Sequence, residues 1–111
     1  MKDNAILKVG REVVKIEIDS LKKLYLNIGK SFQQVVKTII SCKNGKIIIS
    51  GVGKSGIVAR KIAATFSSIG LVSLYLNPLD ALHGDLGIIA ENDICFLLSN
   101  SGETKELMEI I

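Results

Sequence analysis

Three short stretches gather the side chains that can do chemistry. Gly51-Val52-Gly53-Lys54-Ser55-Gly56 sets an amine and a hydroxyl among glycines, Ser99-Asn100-Ser101-Gly102-Glu103-Thr104 supplies a run of hydroxyls, and His83-Gly84-Asp85-Leu86-Gly87 carries the single histidine of the chain. A glycine-rich turn that opens a helix presents unpaired backbone N–H groups, and with Lys54 and the Ser55 hydroxyl beside them it can hold one anionic group. The first stretch also matches G-x-G-x-x-G, so a dinucleotide site has to be weighed. Such a site wants an acid closing the second strand to hold a ribose hydroxyl. Asn77 and Pro78 stand there instead, and Asp80 lies inside the next turn. A Walker A loop fails as well, because its first glycine would fall at Ile48, inside a strand. A phosphate monoester or a sugar ring fits what remains.

The second stretch strengthens that reading. One helix cap needs one hydroxyl, whereas Ser99, Ser101 and Thr104 offer more than a cap uses. His83 sits next to Gly84, and imidazole is the side chain matched to proton transfer near neutral pH. Metal ligation is not expected, since no second His or Cys lies at ligand spacing and Cys95 falls inside a strand. Glu106 follows Thr104 in the first turn of a helix, where the helix dipole favours the ionised carboxylate and a bound sugar would be within its reach.

The elements that must position these residues show in the hydrophobic periodicity. Ile6, Val9, Val13, Ile16, Leu21 and Leu24 fall mostly three or four apart, which predicts an amphipathic helix over 3–27, capped by Asp3 or Asn4 and stopped by Gly29. Ser31 is expected to cap a second helix, with Phe32, Val35, Val36, Ile39 and Ile40 on one face until Asn44-Gly45. Ile47-Ile48-Ile49 reads as a strand buried on both faces, the mark of a parallel sheet. A helix over 56–69, with Ile57, Val58, Ile62, Ala63, Phe66 and Ile69 inward, leads through Gly70 to a strand over 72–76. Asn77-Pro78 predicts a cap and a short helical turn, Ile94–Leu98 a third strand, and Thr104 the start of a further helix. Strand, helix, strand spells a βαβ unit, and all three candidate loops should leave one edge of the sheet, where such folds bind their ligands.

Composition sets the outer limits. At 111 residues, 48% hydrophobic and 23% charged, the chain has room for one domain and the balance of a soluble globular protein. Basic residues number 14 against 11 acidic and are scattered, so no nucleic-acid partner is demanded. No apolar run is long enough to span a bilayer. Cys42 and Cys95 lie far apart with no secretory leader ahead of them, which fits a cytoplasmic, reducing location.

Taken together, the glycine turn, the continuing Arg60-Lys61-Ile62-Ala63-Ala64-Thr65-Phe66, the His83–Gly87 stretch and the Ser99–Thr104 loop resemble, in order and spacing, the sugar isomerase (SIS) domain, and within it the arabinose-5-phosphate isomerase branch. The resemblance implies an α/β fold, a three-layer α-β-α arrangement around a parallel sheet. Residues 1–45 would be a helical N-terminal segment and 46–111 a phosphosugar-binding core, a partial SIS domain cut after about three strands, without the CBS modules of the family. The implied reaction is the interconversion of D-ribulose 5-phosphate and D-arabinose 5-phosphate, a precursor of Kdo for lipopolysaccharide or capsule. Lys54 matches the family's catalytic lysine, Glu106 a catalytic glutamate and His83 a substrate-contacting histidine. Ser55, Ser99, Ser101 and Thr104 would hold the phosphate or hydroxyls, and Gly70 would offer its backbone.

No cofactor is implied. Family members often carry a histidine where Asn77 stands, which removes the expected metal ligand, and Leu71 replaces a small polar residue. The full-length family implies homo-oligomers. As a partial domain, the chain would leave the Ile94–Leu98 strand as an unpaired edge, which predicts poor solubility or association. The alternative is a phosphosugar-binding SIS module without turnover, or an inactive remnant of an isomerase.

Overall fold

Three consecutive isoleucines are stable in water only where a strand is covered on both faces, and Ile47, Ile48 and Ile49 are 2%, 1% and 0% exposed. They open β1, Ile47–Gly51. The computed structural model describes residues 2–82 and 84–101. The chain divides into two units, Met1–Thr38 and Ile39–Ile111. The first holds α1, Asp3–Asn27, and most of α2, Lys30–Ser41. The second holds β1, α3 (Lys54–Ser68), β2 (Ser73–Leu76), α4 (Pro78–Leu82), a 3-10 turn over Asp85–Ile88 and β3 (Ile94–Leu98).

The strands form one parallel sheet in the order β2-β1-β3. Residues alternate between its faces, as the strand period requires. Ile47 and Ile49 pack with Ala59 and Ala63 of α3, joined by Phe66, Tyr75, Phe96 and Leu98. Ile48 faces the other way, with Leu76, Ala81 of α4 and Ile89. Helix, sheet and helix make the α-β-α layers expected of the sequence. The rings of Phe66 and Phe96 meet edge to face at 6.5 Å, a geometry that adds to plain area burial.

Register fixes which ends of the strands coincide. Ile47 lies opposite Ser73 and Ile94, while Ser50 lies opposite Leu76 and Gly51 opposite Leu98. All three strands therefore finish at one edge and start at the other. The starting edge is clamped. Asp93, immediately before β3, accepts hydrogen bonds from the Lys46 backbone N–H at 2.9 Å, the Lys46 ammonium at 2.6 Å and the Ala90 N–H at 2.7 Å. These bonds, the Lys46 side-chain one foremost, hold the Asp93 carboxyl down at about 2 against 3.8 for an ordinary aspartate.

The helices depart from the periodicity reading in informative ways. Lys2, not Asp3 or Asn4, is the N-cap of α1, which puts Asp3 in the first turn where its charge suits the helix dipole. Ile28 in extended conformation ends that helix, and Ser31 lies inside α2 rather than capping it. α3 begins at Lys54, and its buried residues are Gly56, Ala59 and Ala63. Ile57, Val58 and Ile69 are exposed, at 69%, 52% and 69%. Small side chains let the helix lie close on β1; of the residues expected inward, Ile62, Ala63 and Phe66 do pack against the core, whereas Ile57, Val58 and Ile69 stay outside it. Asn77 and Pro78 behave as expected: the Leu79 N–H donates to Asn77 Oδ1 at 2.9 Å, capping α4. Among the described residues, no helix is long and apolar enough to cross a membrane.

Candidate functional site

The order β2-β1-β3 makes the gap between β1 and β3 the point where chain connections part to opposite sides. From β1 the chain runs through α3 to β2; from β2 it returns to the far side for β3. In open parallel sheets ligands bind at such points, beyond the carboxyl ends of the strands. An open depression of about 560 Å³ lies there, lined by Lys54, Ser55 and Val58 of α3 and by Leu97, Leu98, Ser99 and Asn100 at the end of β3. That volume is within the range of small-molecule sites.

Backbone geometry brings the α3 side of the depression into place. Gly53, with φ 61 and ψ −127, occupies a conformation that L side chains rarely adopt, and it is the N-cap of α3 with no side-chain hydrogen bond to the helix. The first turn can also approach the strand only because Gly51 and Gly56 lack side chains. A Cβ on Gly56 would sit 2.7 Å from the Gly51 carbonyl oxygen, and one on Gly51 would sit 2.8 Å from the Ser55 carbonyl. The Ile57 N–H donates to the carbonyl of the N-cap Gly53 at 3.2 Å and closes the first turn. The amides ahead of it belong to the first turn, where N–H groups lack carbonyl partners within the helix, and Lys54 and Ser55 of that turn line the depression.

On the β3 side, the Ser99 and Ser101 hydroxyl oxygens lie 3.5 Å apart. Ser50 braces the neighbouring strand end: its buried hydroxyl donates to the Leu76 carbonyl at 2.6 Å. Lys54 is exposed at the mouth of the depression. Partial burial pushes the Cys95 thiol up, with the nearby Asp93 charge adding to the shift, so it is not a thiolate nucleophile at neutral pH.

Of the residues singled out in the sequence, Lys54, Ser55 and Ser99 line this one depression, and Ser101 neighbours Ser99. Gly70 does not join them. It follows the C-terminal end of the 15-residue α3, a helix about 22 Å long at about 1.5 Å per residue, near the starting edge of the sheet. Its φ of +91 serves the turn into β2. His83, Thr104 and Glu106 lie outside the described residues. Asn100 and Val58 line the depression without having been singled out for it. Asn100 stands inside the serine loop, and Val58 lies four residues after Lys54 on the same helix face, which was the available signal. Among the described residues no group of His, Cys, Asp and Glu could hold a metal ion, and Asn77 is engaged as a helix cap.

In a sheet of this order the glycine turn and the serine loop meet at the parting point. The chain belongs to the SIS domain family, whose family model matches residues 39–111. Among curated relatives, the arabinose 5-phosphate isomerase GutQ of Salmonella typhimurium is 42% identical over 108 residues, which is 97% of this chain and 33% of that protein. An uncharacterised Rickettsia prowazekii protein is 50% identical over 103 residues, 93% of this chain and 32% of its own length. The chain thus spans about a third of the length of these relatives. The solved structure of an E. coli CFT073 protein in complex with A5P superposes with a TM-score of 0.92 at 37% identity, covering 99% of this chain and 58% of that one.

Proposed function

We propose that the chain is the phosphosugar-gripping part of an aldose-ketose isomerase acting on D-ribulose 5-phosphate and D-arabinose 5-phosphate, the aldose drawn on for Kdo, in the cytoplasm. The observation that carries this reading is the meeting of Lys54 and Ser55 with Ser99 and Asn100 in one depression at the β1/β3 parting point. The similarity to arabinose 5-phosphate isomerases and to a protein solved with A5P supports the choice of sugar.

In this reading the phosphate rests on the amides that open α3 and on the hydroxyls of Ser55, Ser99, Ser101 and Thr104, where several donors meet one dianion. The reaction moves one proton between adjacent carbons. Glu106 removes a C1 proton of the ketose, an enediol forms, and the proton returns at C2, while a hydroxyl proton passes from O1 to O2. Nothing is gained or lost. Negative charge develops on oxygen along the way, and the Lys54 ammonium stabilises it there more than in the ground state. His83 holds a sugar hydroxyl. Gly70 lies beyond the opposite end of α3 from Lys54 and is given no role in this reading.

The test is to incubate the chain with ribulose 5-phosphate in deuterated water and follow deuterium at the exchanging carbon by NMR. Incorporation together with arabinose 5-phosphate formation is the expected result. Binding of arabinose 5-phosphate without any incorporation would favour a phosphosugar-binding module, and absence of both would overturn the assignment.

A further inference from the structure

The α3 turn must be held at a fixed height above β1 for Lys54 and Ser55 to face Ser99, and one side chain of β2 reaches the turn directly. The Tyr75 hydroxyl donates to the Gly51 carbonyl at 3.0 Å. Gly51 ends β1, and its carbonyl is also the atom a Gly56 Cβ would strike, with the Tyr75 oxygen 3.1 Å from the same point. The last carbonyl of β1, the first turn of α3 and the Tyr75 hydroxyl therefore share one close-packed spot. From the helix side, the Arg60 guanidinium carbon lies 4.6 Å from the Tyr75 ring centroid, a cation-π contact that keeps the ring from swinging away.

We propose that Tyr75, steadied by Arg60, is a positioning residue of the site: its hydroxyl fixes the Gly51 carbonyl and through it the placement of the Lys54 and Ser55 groups. It touches no substrate. Phenylalanine at 75 would fill the core almost equally well, so the hydroxyl is kept for the carbonyl it holds. The alternative partner for that carbonyl is water entering beneath the turn, which would let the α3 N-terminus shift relative to the serine loop. Anion recognition by several donors depends on their mutual spacing, so a small shift lowers affinity without unfolding the chain.

The inference rests on the phosphosugar reading for one arm of its test and is independent of it for the other. In the first arm, calorimetric titration with arabinose 5-phosphate compares the wild type, Tyr75→Phe, Arg60→Gln and the control Ser67→Ala. The control removes a comparable side-chain bond, to the Ser73 carbonyl at 3.1 Å, at the far end of α3. Tyr75→Phe should raise Kd about five-fold, the equivalent of one net hydrogen bond of about 1 kcal/mol. Arg60→Gln should raise it about two-fold, and Ser67→Ala should leave it unchanged. In the second arm, amide hydrogen exchange without ligand should quicken in Tyr75→Phe over 52–56 and stay at the wild-type rate over 62–68.

Failure of the wild type to bind the sugar would sink the functional reading, and the exchange arm alone would then decide the role of Tyr75. Wild-type Kd and exchange in Tyr75→Phe, or an equal loss of affinity in Ser67→Ala, would overturn the proposal.

Discussion

The two edges of the sheet are built from the same kinds of residue and put to opposite uses. At the starting edge, Asp93 accepts three hydrogen bonds from Lys46 and Ala90 and its side chain is 2% exposed. At the finishing edge, Lys54, Ser55, Ser99 and Asn100 surround an open depression. A carboxylate with its acceptors filled locks strand register and has nothing left for a ligand. Side chains arrayed around an opening add less to folding and stay within reach of a dissolved anion. The contrast teaches that polar groups at strand ends identify a site by what they leave open toward solvent, not by charge or proximity.

The comparison breaks most sharply if the open edge proves structural. Lys54→Ala should lower isomerase turnover by about 10² to 10³, the loss typical of one electrostatic contact made in the transition state, with the denaturation midpoint unchanged. Activity assays beside urea melts read both. Gly56→Ala should cost about 1–3 kcal/mol of stability by overpacking, because its Cβ would meet the Gly51 carbonyl. It should weaken arabinose 5-phosphate binding too, and denaturant titration with calorimetry checks the pair of effects.

Ser99→Ala should raise the Kd for that sugar about ten-fold, as loss of one hydrogen bond to a charged group does, and leave the midpoint alone. The closed edge gives the smallest effect. Asp93 titrates at about 2 in the folded chain against 3.8 otherwise. Its folded value is the lower one, so its contribution to stability is complete above 3.8 and is lost as pH falls toward about 2. Asp93→Asn should flatten the pH dependence of stability in that window and leave sugar affinity at neutral pH unchanged, as melts between pH 5 and pH 2 would register (about the window in which such carboxylates titrate).

The architecture was largely legible. The β-branched run at 47–49 and the apolar run at 94–98 read as parallel strands, and β3 spans Ile94–Leu98 as expected. Glycine and serine loops after strand ends pointed to the edge where all three strands finish, because a parallel sheet sends all its strand ends one way. The α3 interface was read correctly at Ile62, Ala63 and Phe66 and misread in its first half, because periodicity rewards large apolar residues. Ile57 and Val58 outrank Ala59 on any hydrophobic scale, yet the buried positions there are Gly56 and Ala59.

The Lys46–Asp93 clamp was missed, since 47 residues separate its partners. Its signal was nonetheless present: each residue directly precedes its strand, and parallel pairing sets equivalent positions side by side. Tyr75 was invisible for a related reason. Its importance comes from the length of a ring reaching past Ser50 to the Gly51 carbonyl, which no spacing rule encodes.

The central claim is that two loops at the finishing edge grip one sugar phosphate together. The most direct measurement is an NMR titration of the isotopically labelled chain with arabinose 5-phosphate, following backbone amides. The account predicts saturable shifts that rise with a single Kd at Lys54, Ser55 and Gly56 and at Ser99, Asn100 and Ser101. Shifts confined to one of the two loops, or centred on the Lys46–Asp93 edge, would contradict it.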